Sequence, residues 1–481
     1  MKKLICVLLS LVMLLSLAAC GKDKAETTEP KKADTTAAEK VDTDEAEDAA
    51  DETDAVETGE ETDAPDTAES SEELPEFDQS GNIEETVMLD QDNIKVTATT
   101  LEYDNYSANL KLSLENNSDK TLTFSTNTLG FSGNSVNGFM IPDGYFNSEI
   151  APGKKANETV TFSYDYLQLF GINEIADIVL GIRVTDEEYN ETLYPDCQVK
   201  TSIADAYTYD EASYQKAMTS EAVQKSFGFT STSFATDTLY DADNIRIVSS
   251  LLMTNEDGEQ TVLLETVNNG TEMKNVVIAG VEINGLTIYD GNWSTTTISS
   301  GKRGVISVNL NDVFNEQYWA AYGLTTISSI DIKVGIQEGW DLNDENVVHL
   351  TIGDETPLNL DGTELFNQGN IRIISKGLLG HEDKYDSDLY LALLIDNGTD
   401  EAFDVSVQND SLSVNDIMIS EFGSDTNIPA HGYGILIIEL QGSDLEESDI
   451  TEVEQIQKVE CVIDFGEGYD VAVEAPIVAE F

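Results

Sequence analysis

Trp293 and Trp340 are the side chains of this sequence whose chemistry best suits ligand binding, because an exposed indole ring can stack on a sugar ring or on a peptide. Trp293 in "DGNW" corresponds to Phe146 in "DGYF", and Trp340 corresponds to Tyr189 and Tyr469, in three similar segments of the chain. An aromatic residue that recurs at one point of each segment is most simply a packing requirement. Core packing is therefore the first explanation for both tryptophans, and contact with a ligand is the second.

The sequence offers no strong constellation for catalysis or metal binding. Neither an HExxH nor a Cys-x-x-Cys motif occurs, and GxSxG and glycine-rich phosphate loops are missing. Acidic clusters that begin at Asp241, Asp341 and Asp383 lack the order of an EF-hand loop, so solvated turns explain them better than calcium sites. A glycosidase pair among the acids could be recognised only by its geometry. We assign no catalytic residue, no metal site and no cofactor. The three histidines lie in separate contexts, at His349, His381 and His431.

A cysteine follows the short apolar segment at the start of the chain. Two lysines precede about 16 apolar or small residues, at positions 4–19, which is the layout of a secretory signal and is shorter than a spanning helix of about 20 residues. The residues "LAAC" at its end resemble the lipobox of bacterial lipoproteins. The resemblance implies a signal peptide over 1–19, cleavage after Ala19, a diacylated Cys20 and an extracytoplasmic protein anchored to the membrane by lipid. The alternative is an ordinary signal peptide, with Cys20 incidental.

Residues 20–76 form an acidic linker after the cysteine. They are mostly alanine, threonine, aspartate, glutamate and lysine, with few large aliphatic side chains. Such a segment buries too little apolar surface to offset its conformational entropy, so we expect it to be disordered and extended by its own charge. It serves either as a stalk through a cell wall or as a solubilising spacer.

The formal net charge of −67 excludes some partners. Nucleic acid binding needs clustered lysine and arginine, as does a polybasic contact with anionic lipid, and with 25 basic against 92 acidic side chains we expect neither. Solubility explains the charge more simply than a cationic ligand. Cys197 and Cys461 alternate with apolar residues in different segments, so we expect buried thiols and no disulfide within a domain.

Self-similarity divides the rest of the chain into three repeats. Each contains a strand-like run, a polar turn with asparagine, a short "VNG"-like segment and a second turn before another strand. Asn-Gly between apolar runs favours a hairpin, which we expect at the polar turns around Asn117, Asn269 and Asn397. The first strands of the repeats begin with "DNIKVTATTL" at Asp92, "DNIRIVSSLL" at Asp243 and "GNIRIISKGLL" at Gly369.

Each repeat continues into a short crossover helix. The expected N-cap and stop residues are Asp165 and Gly171 in repeat 1, Asn311 and Gly323 in repeat 2, and Ser443 or Asp444, without a glycine, in repeat 3. About seven short strands in roughly 110 residues, separated by turns, are typical of an immunoglobulin-like β-sandwich. We therefore predict an all-β fold of three tandem sandwiches, each with a short crossover helix, after the disordered linker.

The predicted domains are repeat 1 at 85–204, a helical spacer at 205–232, repeat 2 at 237–354 and repeat 3 at 363–481. The arrangement resembles the Ig-like domains of unknown function found in tandem on lipobox proteins of Gram-positive bacteria, which implies an architecture and no activity. The spacer either packs between domains or docks a partner through its tyrosines, Tyr207, Tyr209 and Tyr214.

Binding or scaffolding outside the membrane is the function that these features favour. Loops or sheet edges would recognise a protein, a peptide or a cell-wall glycan. A solute-binding lipoprotein of a transporter is one alternative, although that role usually requires two α/β lobes. A cell-wall hydrolase and a purely structural spacer are the others.

Overall fold

The computed structural model confirms the all-β class. It describes residues 74–126, 133–234, 239–310, 320–324, 326–339, 341–354, 357–380, 389–420, 425–450, 453–467 and 470–481.

Repeat 1 contains twelve strands and one helix in its described part. Strand β8 leads directly into helix α1, as the crossover pattern predicts. The elements are β1 Thr86–Gln91, β2 Ile94–Tyr103, β3 Ser107–Asn116, β4 Leu122–Ser125, β5 Ser135–Val136, β6 Phe139–Met140, β7 Asn147–Ile150, β8 Lys154–Ser163, α1 Tyr164–Leu169, β9 Asp177–Gly181, β10 Arg183–Asp186, β11 Glu191–Leu193 and β12 Asp196–Lys200.

The spacer and repeat 2 follow the same strand order with longer, continuous strands. The elements are α2 Ser213–Met218, α3 Glu221–Phe227, β13 Phe229–Ser233, β14 Tyr240–Ala242, β15 Ile245–Asn255, β16 Gln260–Asn268, β17 Lys274–Ile283, β18 Leu286–Ile298, β19 Arg303–Asn309, β20 Ser329–Glu338 and β21 Asp341–Thr351.

Repeat 3 returns to the pattern of repeat 1. The elements are β22 Thr363–Gln368, β23 Ile371–Gly380, β24 Leu389–Asn397, β25 Phe403–Val407, β26 Ser413–Val414, β27 Ile417–Met418, β28 Asp425–Ile428, β29 Gly432–Leu440, α4 Gly442–Glu447, β30 Lys458–Glu467 and β31 Asp470–Glu480, with a 3-10 turn at Val453–Gln455.

In each repeat a first sheet packs against a second layer, which in repeat 1 is divided between the sheet β11-β10-β4-β7 and the strands β12-β9-β5-β6. We call the sheet of β1, β2, β3 and β8, and its equivalents in the other repeats, the first sheet. In repeat 1, the inward residues of this sheet include Ile94, Leu112 and Phe162, which are at most 1% exposed. Alternating side chains place them on one face, where they pack on inward residues of the second layer such as Phe124 and Val184.

The hairpins do not lie where the polar turns predict them. Those turns pass from the first sheet to the second layer, because β3 pairs with β2 and β8 whereas β4 pairs with β7 and β10. The first asparagine of the turn, Asn116, is fully buried and donates to the carbonyls of Lys120 at 2.7 Å and Ile150 at 2.8 Å. Asn268 and Asn397 make the same kind of contact in the other repeats. The asparagine therefore satisfies buried carbonyls instead of turning a hairpin.

Two-residue hairpins occur instead at the start of each repeat. Asp92 and Asn93 join β1 to β2 with φ of 53° and 65°, the geometry of a type I′ turn, which asparagine tolerates. The corresponding turns of repeats 2 and 3 are Asp243–Asn244 and Gly369–Asn370.

The crossover helices start slightly earlier than predicted. The N-caps are Ser163 and Gln441, so Asp165 and Asp444 lie in the first helical turn. Gly171 and Gly323 have φ of 74° and 75°, as expected for residues that stop a helix. In repeat 3 the left-handed position is taken by Asp449, with φ of 60°. The other two predicted N-caps were Asn311 and Ser443. Asn311 lies outside the described residues, and Ser443 lies within α4 and is not its N-cap.

The sheets of consecutive repeats are continuous. One sheet has the order β12-β9-β5-β6-β19-β16-β15-β13 and joins repeat 1 to repeat 2, and another has the order β21-β20-β17-β18-β29-β24-β23-β22 and joins repeat 2 to repeat 3. The buried clusters also cross the boundaries: that of repeat 1 includes Leu251 and Leu263, and that of repeat 2 includes Ala392 and Leu394. The three sandwiches therefore share strand pairing and core surface.

Candidate functional site

Both repeat boundaries use the same strand pairing. A short hairpin strand of one repeat pairs in parallel with the strand that follows the second turn of the next repeat. Phe139 of β6 is opposite Arg303 of β19, whose amide donates to the carbonyl of Gly138 at 2.9 Å. At the second boundary Leu286 of β18 is opposite Tyr433 of β29. The two registers are identical when the repeats are aligned on their turns.

An asparagine fixes this hairpin in each repeat. Asn137 has φ of 53°, and its Oδ1 accepts from the amides of Ala176 at 2.7 Å and Asp177 at 3.1 Å. Asn284 and Asn415 make equivalent contacts with two successive amides of the strand that follows the crossover. The hairpin is thus presented in the same way by all three repeats.

The spacer fills the first boundary with aromatic side chains. Tyr214 of α2 is 2% exposed and lies 5.5 Å from the ring of Phe139 and 6.2 Å from that of Phe170, measured between ring centroids. Tyr209 lies under the guanidinium of Arg303 at 4.4 Å. These two tyrosines pack between repeats, which agrees with a packed spacer and removes Tyr214 as an exposed docking residue.

A buried charge network completes the first boundary. Arg303 is 8% exposed and donates to Glu265 at 2.6 Å and to Glu211 of the spacer. Glu265 is 1% exposed and also accepts from the hydroxyl of Ser249 at 2.7 Å. Burial raises the pKa of Tyr209 to about 12, so its ring stays neutral beside the cation. Each charge has a partner, which is the condition for burying it without a large desolvation cost.

The second boundary is apolar where the first is charged. Tyr433 takes the place of Arg303, and Leu394, fully buried, takes the place of Glu265. The hydroxyl of Tyr322, at the end of the crossover of repeat 2, donates to the carbonyl of Leu393 at 3.0 Å. The same backbone register therefore accepts either a charged or an apolar set of side chains.

Repeat 3 carries the equivalent hairpin at its far end, and there the hairpin strand is exposed. Ile417 and Met418 of β27 are 43% and 57% exposed, and β27 pairs only with β26 among the described strands. A cavity of about 510 Å³ opens beside it. Its lining residues are Asp410, Met418, Ile419, Ser420, Asp444, Glu447 and Ser448.

The cavity is acidic. Three carboxylates line it, and its lining contains no lysine or arginine. The amide of Ser420 donates to Asp444 at 2.7 Å, which lowers the pKa of that carboxyl. The neighbouring Asp416 is paired with Lys458 at 2.5 Å, and this contact raises the pKa of the lysine to about 12. The rim is therefore negative at neutral pH beside an exposed aliphatic strand.

The residues predicted to bind ligand are only partly placed. Trp293 belongs to β18, but its side chain lies outside the described part, and Trp340 and Cys20 lie outside the described residues altogether. The residues of repeat 1 that correspond to the two tryptophans differ in exposure: Phe146, the counterpart of Trp293, is 4% exposed, and Tyr189, the counterpart of Trp340, is 84% exposed. In repeat 1, Phe146 is thus packed in the core, whereas Tyr189 lies on an exposed turn.

The histidines and acidic clusters serve local contacts where they are described. His349 Nδ1 lies 2.5 Å from Asp331, and His431 Nε2 lies 2.9 Å from Asp400. His381 and the cluster from Asp383 lie outside the described residues. Within the described part, the side chains of histidine, cysteine, aspartate and glutamate form no group of three that could hold a metal ion.

Sequence reasoning missed the hairpin end of repeat 3. The signal was present in "VNDIMI", where Ile417 occupies the place of Phe139 and Leu286, and Met418 that of Met140 and Thr287. In the first two repeats the position of Ile417 is fully buried under the following repeat, whereas Ile417 itself is 43% exposed.

Comparison with known protein families finds no match, and comparison with characterised proteins finds none either. Among solved structures, red sea bream transglutaminase aligns with 63% of this chain at 11% identity and a TM-score of 0.14, and the alignment spans 37% of that enzyme. A Porphyromonas gingivalis W83 protein of unknown function aligns over 46% of this chain and 91% of its own, at 12% identity and a TM-score of 0.13. The BSP domain of a biofilm associated protein aligns over 85% and 83%, at 10% identity and a TM-score of 0.13.

These scores carry no argument about family or function. The described residues contain no helix long and apolar enough to cross a membrane.

Proposed function

We propose that this protein is a lipid-anchored extracytoplasmic scaffold, whose three sandwiches form one stiff body that presents the end of repeat 3 for binding. The continuity of the sheets across both repeat boundaries is the observation that carries the proposal. Shared strand pairing and shared core resist bending between domains, whereas domains joined by a linker alone move freely. A stiff body keeps the end of repeat 3 apart from repeat 1, and the linker at 20–76 limits how far that body can lie from the membrane.

The anchor rests on the lipobox resemblance of the residues that end at Cys20. Two acyl chains supply stable membrane attachment, because each buried methylene contributes about 0.8 kcal/mol. The alternatives of a solute-binding subunit and a cell-wall hydrolase draw no support from a described feature.

Replacement of the lipidated residue tests the proposal. We expect Cys20→Ser to move the protein from the membrane fraction to the medium, or to block its processing, because the acyl chains lose their attachment atom. Cys197→Ser is the matched control, since this thiol is buried in β12 and leaves the anchor intact. Quantitative immunoblotting of the membrane and medium fractions is the measurement.

An epitope tag placed after Phe481 tests orientation in the same cells. We expect an antibody or an added protease to reach the tag on intact cells that carry the wild-type protein. A Cys20→Ser protein that remains in the membrane fraction after removal of its signal peptide, or a tag reached only after lysis, would contradict the proposed location.

A further inference from the structure

The hairpin of each repeat is a strand-docking site, and it is filled twice within the chain. Phe139 of β6 receives β19, and Leu286 of β18 receives β29, in the same parallel register. The third hairpin has the same backbone support from Asn415 and leaves Ile417 and Met418 exposed. An unfilled copy of an interface that the molecule uses twice indicates a strand from outside the described chain.

A second copy of this chain offers a poor match. The strand that would dock is β8, and it places Lys155 where Arg303 stands in β19, so the mismatch lies in the residues around it. The sheet face beside it carries Lys111 and Asn157, where repeat 2 has Leu263 and Val305 and repeat 3 has Ala392 and Ile435. Repeat 1 therefore has the polar outer face of a terminal repeat.

The chemistry of the site selects a different occupant. The residue opposite Phe139 in the first boundary is an arginine, and in the third hairpin the neighbouring cavity is lined by Asp410, Asp444 and Glu447. At the first boundary the carboxylates that pair with Arg303 belong to repeat 2 and to the spacer, on the same side as the docked strand. At the third hairpin the carboxylates belong to repeat 3, which would receive the strand. A docked strand can thus neutralise them with its own cation.

We propose that β27 receives an extended segment of another protein as a parallel strand, with an arginine or lysine directed to the carboxylates of the cavity and an apolar side chain on Met418. Main-chain hydrogen bonds to β27 supply affinity, and the acidic cavity supplies selectivity for a basic segment. Because β27 is two residues long and the cavity is open, binding is weak and falls as salt screens the exposed charges.

A synthetic peptide with the sequence of residues 299–310, "SSGKRGVISVNL", is a suitable probe, because it is the strand that fills the first boundary. Full-length Cys20→Ser protein with isotope-labelled methionine methyl groups is titrated with the peptide. We expect the methyl signal of Met418 to shift and saturate. Met273, which is 54% exposed in a turn of repeat 2, is the matched methionine whose signal stays in place.

Two changes separate charge from strand pairing. A peptide with Arg303→Glu is expected to bind at least about tenfold more weakly. The protein variant Asp410→Asn with Glu447→Gln removes two exposed carboxylates. We expect it to bind the wild-type peptide more weakly by a similar factor. Unreactive Cys461 in each variant shows that repeat 3 remains folded.

Each other outcome overturns the proposal. No shift of Met418 at millimolar peptide would mean that the third hairpin does not receive a strand. Equal binding of the charge-reversed peptide would remove the selectivity for a basic segment. A Met418 shift that grows with protein concentration alone, together with a doubled mass in light scattering, would make a second copy the occupant.

Discussion

The outward face of the first sheet is polar in repeat 1 and apolar in the two repeats that follow. Lys111 of repeat 1 corresponds to Leu263 in repeat 2 and to Ala392 in repeat 3. Leu263 is 8% exposed and Ala392 is fully buried, because the preceding repeat covers them, whereas Lys111 keeps over a third of its side chain in solvent. One strand pattern thus serves as a terminal cap or as an interior layer, according to which residues face outward.

This difference explains why three sandwiches can form one body. Repeat arrays gain stability from interfaces between neighbours and need a polar outer face at their ends. Repeat 1 has such a face at its start. Repeat 3, at Ile417 and Met418, keeps the exposed aliphatic strand that an interior repeat uses for docking.

The largest effect is expected from breaking the charge network at the first boundary. Arg303→Met leaves Glu265 buried without its cation, and a buried pair that loses one partner costs about 3 to 5 kcal/mol in the free energy of unfolding. The measurement is urea unfolding at neutral pH, with labelling of Cys197 and Cys461 as reporters of repeats 1 and 3. We expect Cys197 to become reactive at lower urea.

The double variant Arg303→Met with Glu265→Leu is the control for this prediction. It brings the first boundary close to the second, where Tyr433 and Leu394 occupy the two positions. We expect it to recover most of the lost stability, since an apolar pair can replace a buried ion pair at little cost. A single variant as stable as the wild type would show that the network does not hold the boundary.

A smaller effect is expected from giving repeat 2 the outer face of repeat 1. Leu263→Lys places a cation in the cluster shared by the first two repeats and removes apolar contact, which we expect to cost about 3 kcal/mol. Leu263→Met, which conserves volume, should cost less than about 1.5 kcal/mol. Urea unfolding followed by circular dichroism should change from one transition to two, because repeat 1 loses its contact with repeat 2. A single transition at the wild-type midpoint would refute the shared core.

The strands and the three-fold repetition could be predicted from sequence, because alternating apolar residues and turn residues recur at corresponding points. The sequence also carries a signal of the contacts between repeats, on which no prediction was based. Strand β3 alternates in "ANLKLSLE", whereas β16 contains "VLL" and β24 contains "LALLI", continuous apolar runs typical of strands buried on both faces. Such a run indicates that both faces of the strand are covered. Which part of the chain covers the second face depends on the tertiary fold, which local periodicity does not encode.

The prediction of hairpins at the polar turns was wrong for a different reason. Asn-Gly is compatible with a type I′ hairpin, and asparagine is equally able to satisfy buried carbonyls through its side chain. At Asn268 the second role applies, because the chain must cross between sheets there. The acidic end of repeat 3 was missed since a cavity depends on where α4 lies relative to β27, which the spacing of charges does not give.

The smallest effect is expected from the reverse exchange in repeat 1. Lys111→Leu gives this repeat the residue that repeat 2 buries, but no described element covers the position, so the leucine gains no packing. The substitution loses the contact of the lysine with the hydroxyl of Thr159, at 3.1 Å, and an exposed ion pair with Glu102. We expect a change within about 0.5 kcal/mol in urea unfolding and an unchanged molecular mass in light scattering. Stabilisation by more than about 1 kcal/mol would mean that another part of the chain covers this face, and repeat 1 would then be an interior layer like the other two.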